Sequence, residues 1–241
     1  MNIRVRPVTV ETILPWRDLY RREMNCQIVH DDMSARPGWT QPYLIDIDER
    51  PVGYGSVVIG GPWKGTRTVF EYYVAPSWRA RTFDCFEAFL GASQATAMVA
   101  QTNDVVLTVM LHMWARNISS EKIVFADGLT SCHRLDGAVL RRRNQPAQDW
   151  VVELDGTTVA NGGILFHYNR PYGDIYMEVE ESHRRRGIGC WLVQELKRIC
   201  YEAGSVPCAR CNPENTGSRK TLQKAGFVPF ANIVLGKVFS G

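Results

Sequence analysis

Hydrophobic and polar side chains alternate in several short stretches of this 241-residue chain, and such alternation is typical of β-strands. Residues 174–180 alternate in this way and predict a strand. Apolar residues then recur at three- and four-residue steps over 188–203, which predicts an amphipathic helix that ends at Gly204. Strand, turn and helix therefore follow one another directly, and the helix N-terminus points out of the turn.

The same patterns predict the other elements. In the first half they predict strands over 3–10, 43–48, 52–59, 68–74 and 105–111, and helices over 12–26 and 79–101. Further strands over 122–126 and 129–140 would close the first half. In the second half the patterns predict strands over 150–154, 157–167 and 206–211, and a short helix over 219–224. A charged connector that ends in proline, residues 141–146, predicts a boundary between the halves.

The turn from Arg184 to Gly189 has the sequence RRRGIG. The first N–H groups of a helix have no partner within the helix, and the helix dipole adds partial positive charge there. Gly187 and Gly189 have no Cβ to block these groups, and a guanidinium fits phosphate oxygens. The turn therefore suits a diphosphate, although solvated arginines on a structural turn would give the same pattern. It is neither a P-loop nor a Rossmann turn, because their glycine spacings and the G-K-[ST] ending are absent.

A second motif follows this helix. The strand over 206–211 leads to Asn215-x-x-Ser218, and the next helix ends in Ala225-Gly226-Phe227. Together with Arg184-x-x-Gly187-x-Gly189, these residues resemble the acyl-CoA site of the GNAT superfamily of acyltransferases. The order and spacing of the elements are similar over roughly residues 150–239.

This resemblance implies an N-acyltransferase that moves an acyl group, expected to be acetyl from acetyl-CoA, to an amine of a small molecule or peptide by direct attack. The pantetheine arm would pair with the end of the 174–180 strand, and the diphosphate would bind the turn. The implied cofactor-binding residues are Met177, Val179, Arg184, Arg185, Arg186, Gly187, Ile188, Gly189, Asn215 and Ser218. No metal is expected.

An amine acceptor needs a base. A lysine-like amine has a pKa of ~10.4, so about one molecule in 10³ carries a free lone pair at pH 7. Glu178 lies beside the expected thioester and is the predicted catalytic base, although a strand-edge or salt-bridged carboxylate is the structural alternative. Asp174, Glu71, Asp31 and His30 are further candidates.

The departing thiolate also needs a proton. In many members of the superfamily a tyrosine four residues before the glycine of the Gly-Phe pair provides it, and this chain has Leu222 there. Either Ser218, Tyr176 or water takes that role, or the thiolate leaves without assistance.

The first half has a similar order of elements but a different turn. Residues 74–83 contain no glycine, so a side chain at each position would keep a diphosphate away from the amides. We interpret residues 1–143 as a degenerate GNAT-like half without a cofactor motif, and 144–241 as the half that carries the acyl-CoA motif. The predicted fold class is α/β (α+β), with a mixed, largely antiparallel central sheet flanked by helices in each half.

Composition and charge narrow the kinds of partner and the cellular compartment that we expect for this chain. The net charge of +3 is too small to indicate nucleic acid as a partner, and no apolar run is long enough to cross a membrane. The N-terminus has no secretory signal pattern, and seven scattered cysteines are typical of a reducing compartment, so we expect a cytoplasmic protein. Cys208-x-x-Cys211 lacks a second ligand pair, so we expect buried strand residues there rather than a metal site.

Two other function classes fit parts of the pattern. Leu222 and the degenerate first half are consistent with an acyl-CoA-binding sensor or interaction module that has lost its chemistry. The arginine triplets at 141–143 and 184–186 suggest nucleic-acid binding, but they have no interleaved aromatic residues.

Overall fold

The chain forms two compact units in the computed structural model, which describes residues 2–24, 31–143, 149–167 and 169–239. The first unit comprises Met1–Glu121 and Asn232–Gly241, and the second comprises Lys122–Ala231. This division differs from the predicted boundary at residue 143. Residues 122–143 belong to the second unit because the strand over 123–126 pairs with 208–211. The degenerate character of the first half remains a prediction.

Eight α-helices and strands lie wholly within the described residues of the first unit. They are β1 (Ile3–Pro7), α1 (Val10–Met24), β2 (Thr40–Ile47), β3 (Arg50–Val58), β4 (Thr68–Val74), α2 (Thr82–Ser93), β5 (Ala97–Gln101) and α3 (Val105–Trp114). The strands follow the order β1-β2-β3-β4-β5, and only β4 and β5 are parallel among the pairs described. Residues 233–237 pair antiparallel with β5. The sheet is therefore mixed and largely antiparallel.

Two predictions for the first unit are wrong. The helix predicted over 79–101 is α2 followed by β5, because Gln94 adopts a left-handed conformation (φ 53°) that ends the helix. The strand predicted over 105–111 is helix α3. Its N-terminus is capped by Asp104, whose Oδ1 accepts a hydrogen bond from the N–H of Leu107 at 2.9 Å. A short apolar run fits a buried strand and a buried helix equally well, and the cap decides between them.

A buried polar cluster joins α1 to the sheet of the first unit. The guanidinium of Arg17 donates to both carboxylate oxygens of Glu71 at 2.9 and 2.6 Å, and the Tyr54 hydroxyl donates to Glu71 at 3.1 Å. Asp31 accepts from Arg17 at 2.7 Å and from Arg21 at 3.0 Å. Both carboxylates therefore neutralise a buried arginine, so neither is placed as a general base. His30, the other candidate from this half, lies outside the described residues.

The remaining α-helices and strands of the described residues lie in the second unit or cross its boundary. They are β6 (Ala115–Asp127), β7 (Val139–Arg142), β8 (Asp149–Leu154), β9 (Thr157–Leu165), β10 (Tyr172–Val179), α4 (Ile188–Glu202), β11 (Val206–Cys211), α5 (Thr216–Lys224) and β12 (Phe227–Val238). The boundaries between the units fall within β6 and β12. The strand predicted over 129–140 is wrong, because only residues 139–142 form a strand in that stretch, as β7.

The sheet of the second unit follows the order β6-β11-β10-β9-β8-β7, with β10 and β11 parallel. Helix α4 buries Leu192, Val193, Leu196 and Cys200 against the sheet. Cys208 and Cys211 are also buried, in β11. Across the part of the chain that the structure describes, no cluster of three or more His, Cys, Asp or Glu residues is arranged to hold a metal ion. No helix among these residues has the length and apolar character needed to span a membrane.

Asp104 gives the first unit a pH-dependent stability. The pKa of Asp104 is raised to about 7, chiefly by burial. The hydrogen bonds from Leu107 and Tyr20 oppose this shift, and the nearby charges of Glu23 and Glu71 add to it. The folded state therefore holds a proton that the unfolded chain releases near pH 4, so this residue's contribution to stability is lost as pH rises from about 4 to 7.

We expect Asp104→Asn to keep the helix cap and to remove this pH dependence. The variant should gain stability relative to the parent between pH 5 and pH 8, by roughly 1–4 kcal/mol. Urea unfolding at pH 5 and pH 8 measures this gain in stability. Asp18→Asn, on the exposed side of α1, is the control. If the unfolding free energy changed by the same amount between pH 5 and pH 8 in parent and variant, Asp104 would already be ionised in the folded protein at pH 5.

Candidate active site

Strands β10 and β11 separate part of the way along their length. Their parallel pairing runs from Tyr172 and Val206 to Ile175 and Ala209. Beyond that point β10 continues to pair with β9 as far as Val179, and β11 continues to pair with β6. The facing edges of β10 and β11 therefore diverge, and strand edges offer backbone groups that an extended ligand can pair with.

The turn after β10 leads directly into α4. A single turn of 3₁₀ helix over Glu181–His183 lies between β10 and Arg184. The Arg184 side chain donates through Nε to the carbonyl of Val179, the last residue of β10, at 3.1 Å. Arg185 and Gly187 both have positive φ, 65° and 83°. Gly187 occupies the N-cap position of α4, where no side chain of the described residues makes a capping hydrogen bond. The first N–H groups of α4 thus face a turn that leaves them open to a ligand.

A cavity of about 860 Å³ connects the strand gap to this turn. Its lining includes Glu178 and nine of the ten predicted cofactor-binding residues, namely Met177, Val179, Arg184, Arg185, Gly187, Ile188, Gly189, Asn215 and Ser218. Arg186 is exposed and is not part of the lining, so its role stays a prediction. The structure therefore brings together residues from β10, the turn, α4 and the start of α5.

Gly189 is closely surrounded inside this cavity. A Cβ at this position would lie 3.2 Å from Cγ2 of Thr221 and 3.3 Å from Cγ2 of Val179. These contacts are tighter than most side chains make in proteins. The second glycine of the motif therefore allows α4, α5 and β10 to approach one another, besides leaving the amides accessible.

Cationic side chains line the wall formed by the turn and α5. Arg184 and Arg185 come from the turn, and Lys220 and Lys224 come from α5. Because Lys220 and Lys224 are four residues apart, they lie on the same side of that helix. The lining thus carries four cations close to an open helix N-terminus, an arrangement that favours an anionic ligand.

Glu178 lines the cavity from β10. It is exposed, and its partner across the strand pair is Asn161 of β9, which also lines the cavity. The other β10 candidate, Asp174, is buried and accepts from Nε of Arg210 at 2.8 Å. Glu178 is therefore the carboxylate of β10 that a substrate in the cavity can reach.

The α5 motif divides between structural and cavity positions. Asn215 caps α5, since its Oδ1 accepts from the N–H of Ser218 at 2.9 Å, and both residues also line the cavity. Leu222, the position of the expected tyrosine, packs in the core with 3% of its surface exposed. The hydroxyl groups that do line the cavity belong to Tyr176, Ser218 and Thr221.

Sequence reasoning misses several residues of the lining. They are Asn161, His183, Cys190, Gly217, Lys220, Thr221 and Lys224, whereas Tyr176 is predicted only as a possible acid. The four-residue spacing of Lys220 and Lys224 next to Ser218 is a signal that could have identified both lysines. Asn161 has no such signal, because only the register of β9 against β10 places it opposite Glu178.

The comparisons with known protein families and with solved structures point to the same family of proteins. Residues 117–227 match the model of the Acetyltransferase (GNAT) family. A search of curated proteins finds no match. The matched residues include the strand gap, the turn and both motif helices, so the segment that lines the cavity is similar to the acetyltransferase (GNAT) family.

Solved structures share the fold over nearly the whole chain. An acetyltransferase from the GNAT family of Colwellia psychrerythraea superposes with a TM-score of 0.74 at 13% identity, covering 98% of this chain and 100% of that one. A tandem GNAT protein from the clavulanic acid biosynthesis pathway has a TM-score of 0.66 at 13% identity and covers 100% of both chains. A GCN5-related N-acetyltransferase from Sphaerobacter thermophilus has a TM-score of 0.65 at 14% identity, with 99% and 96% covered. The predicted GNAT-like α/β fold is confirmed.

We expect Gly187→Glu to abolish binding of CoA while the protein stays folded. The Cβ of the new side chain would overlap Nε2 of His133, and its carboxylate would repel a diphosphate at the helix start. Calorimetric titration with CoA measures the effect.

Gly204→Glu is the matched control for this variant. Gly204 lies just past the other end of α4 and also has a positive φ (73°), and a Cβ added there would have none of the described residues' atoms within 4 Å. This control introduces the same charge and a similar backbone strain, and it should bind CoA like the parent. Unchanged affinity in Gly187→Glu would contradict the phosphate site.

Proposed function

We propose that this protein is an N-acyltransferase that transfers an acetyl group from acetyl-CoA to an amine of a small molecule or peptide. The observation that carries the proposal is the continuous cavity that joins the diverging edge of β10 to the uncapped, glycine-bearing start of α4. The match of residues 117–227 to the GNAT family model supports acyl transfer in general. That the acyl group is acetyl and that the acceptor is an amine are our own proposals.

The carrier would use the two ends of this cavity differently. Its pantetheine arm would lie in the gap between β10 and β11, where it would pair with the backbone of Met177 and Val179. Its diphosphate would bind the N–H groups between Gly187 and Gly189, close to Arg184 and Arg185. Arg186 would contribute charge from outside the lining, and Asn215 and Ser218 would contact the arm from the start of α5. Bound acyl-CoA would supply the activated thioester.

The acceptor would enter where Glu178 lines the cavity. The carboxylate of Glu178 would take a proton from the ammonium form of the acceptor, and the freed lone pair would attack the thioester carbonyl. The new C–N bond forms as the C–S bond breaks, and the electron pair leaves with the thiolate. The nitrogen then loses its second proton, which ends on the sulfur to give the free thiol. Asn161, opposite Glu178, would face the same acceptor.

Direct attack fits the lining better than transfer through a cysteine. Cys190 is the cysteine in the cavity wall, and burial raises the pKa of its thiol, although the charges of Lys224 and Lys197 oppose this shift. A thiol with a raised pKa keeps its proton near neutral pH, and the thiolate is the form that acts as a nucleophile. We therefore propose a single transfer step without a covalent enzyme intermediate.

A second candidate function is an acyl-CoA-binding sensor without catalysis. The observation in its favour is the burial of Leu222 in the core, where many members of the superfamily carry the tyrosine that protonates the thiolate. Tyr176, Ser218 or Thr221 would have to provide the proton in an active enzyme, or the thiolate leaves unassisted. Release of free thiol from acetyl-CoA, followed with a panel of amines, distinguishes the two. Binding of acetyl-CoA without thiol release for any amine would favour the sensor.

We expect Glu178→Gln to lower kcat/KM for the amine acceptor by about 10²-fold or more, because the amide cannot accept the acceptor's proton. The loss should persist from about pH 6 to 9, because an amide side chain accepts no proton anywhere in this range.

Steady-state thiol release across this pH range makes the measurement. Glu180→Gln, two residues further along and outside the cavity lining, is the control and should behave like the parent. An unchanged kcat/KM in Glu178→Gln across this range would remove Glu178 from the mechanism.

A further inference from the structure

The segment over residues 128–138 connects β6 to β7 without forming a helix or strand. Its first half lies along α4. Lys197 donates through Nζ to the carbonyl of Leu129 at 3.1 Å, and Gln194 donates through Nε2 to Oγ of Ser131 at 2.6 Å. The N–H of His133 donates to Oε1 of Gln194 at 2.9 Å. The segment thus runs towards the N-terminus of α4, and we call residues 129–133 the strap.

The strap is anchored at a buried ion pair. Lys197 is only 8% exposed, and its Nζ lies 2.6 Å from Oδ1 of Asp127, at the end of β6. The Tyr201 hydroxyl donates to the other oxygen of Asp127 at 2.7 Å, and Lys197 also donates to the carbonyl of Ala225 at 2.9 Å. Buried charges with several hydrogen bonds hold a fixed geometry, because breaking the pair would leave an uncompensated charge. The start of the strap is therefore firmly placed on α4.

The far end of the strap reaches the turn before α4. The imidazole of His133 directs Nε2 at Gly187, into the place where a Cβ would be, and its two neighbouring ring carbons lie at 3.2 and 3.3 Å from that place. The ring thus occupies the volume that any other residue at 187 would need. Gly187 has φ 83° and sits at the N-cap of α4, so His133 contacts the residue that sets the direction of the first amides.

We propose that His133 is a positioning residue for the anionic carrier, acting through Gly187. Glycine has more backbone freedom than any other residue, and a turn with two left-handed residues in three positions has many alternative conformations. An imidazole packed on Gly187 restricts the turn to the conformation that aims the α4 amides into the cavity. When a binding site is already held in its bound conformation, less conformational entropy is lost as the ligand binds. This inference rests on the proposed function, because it assigns the diphosphate to that turn.

His133 lies outside both motifs that identify the site. It is 51 positions before Arg184 in the sequence, and it belongs to a segment whose predicted strand is wrong. The contact depends on Gln194 and Lys197, which face the strap from the second and third turns of α4. Carrier affinity is therefore coupled to a part of the unit that lies beyond the cavity lining.

Three variants of the whole 241-residue chain test the role of the strap. His133→Ala removes the ring, and Gln194→Ala releases the strap while the ring remains. Arg134→Ala is the matched control, since Arg134 is an exposed cation next to His133 in the same segment. We expect the Kd for CoA, measured by calorimetry, to rise about five- to tenfold in the first two variants and to stay within about twofold of the parent in the control.

A substrate without the diphosphate separates positioning from general damage. With S-acetyl-pantetheine, KM should be the same for His133→Ala and the parent, and kcat for saturating acetyl-CoA should also be unchanged. Unaltered CoA affinity in His133→Ala, or an equal loss with S-acetyl-pantetheine, would overturn the inference while leaving the acyltransferase proposal intact. A parent protein that does not bind CoA would instead contradict the proposed function, and the inference with it.

Discussion

An uncapped helix start at the end of a strand is the feature on which the proposed chemistry depends. A helix N-terminus without a capping side chain leaves N–H groups unpaired, and this is normally unfavourable unless water or a ligand pairs with them. At α4 the N-cap is a glycine in the left-handed conformation, and the same cavity that exposes this helix start continues along the free edge of β10. Open amides, the dipole and four cationic side chains all favour the same kind of ligand, an extended molecule with an anionic end.

The two units differ at the corresponding strand. In the second unit, β10 diverges from β11 and borders an accessible cavity. In the first unit, the described pairing of β4 with β5 is limited to Thr68 and Val69. The rest of β4, after Val69, is buried against the protein's own residues. Glu71 of β4 is fully buried with Arg17 and Tyr54, and Pro76–Arg81 replaces the glycine turn with a 3₁₀ helix. This difference agrees with a first half that does not hold the carrier, which remains a prediction.

Short-range patterns were sufficient for the elements around the site. The alternation in β10, the helical period of α4 and the two glycines made the strand, the turn and the helix predictable, and β4 and β11 have the predicted bounds. The prediction for residues 105–111 failed because an apolar run has no period that separates helix from strand, and the decisive hydrogen bond comes from Asp104 outside it. Contacts between distant segments were not predictable either. His133 reaches Gly187 only through the strap, and Asn161 faces Glu178 only through strand register.

The central claim is that the diphosphate of the carrier accepts hydrogen bonds from the first amides of α4. Amide resonances of ¹⁵N-labelled protein, recorded during titration with CoA, test this most directly, because glycine amides such as those of Gly187 and Gly189 fall in a distinct part of the spectrum. The account predicts large downfield proton shifts for the amides between Gly187 and Gly189 that saturate with CoA and are small with pantetheine. Saturable CoA binding that leaves these amides unshifted, and perturbs a different region of the protein instead, would contradict it.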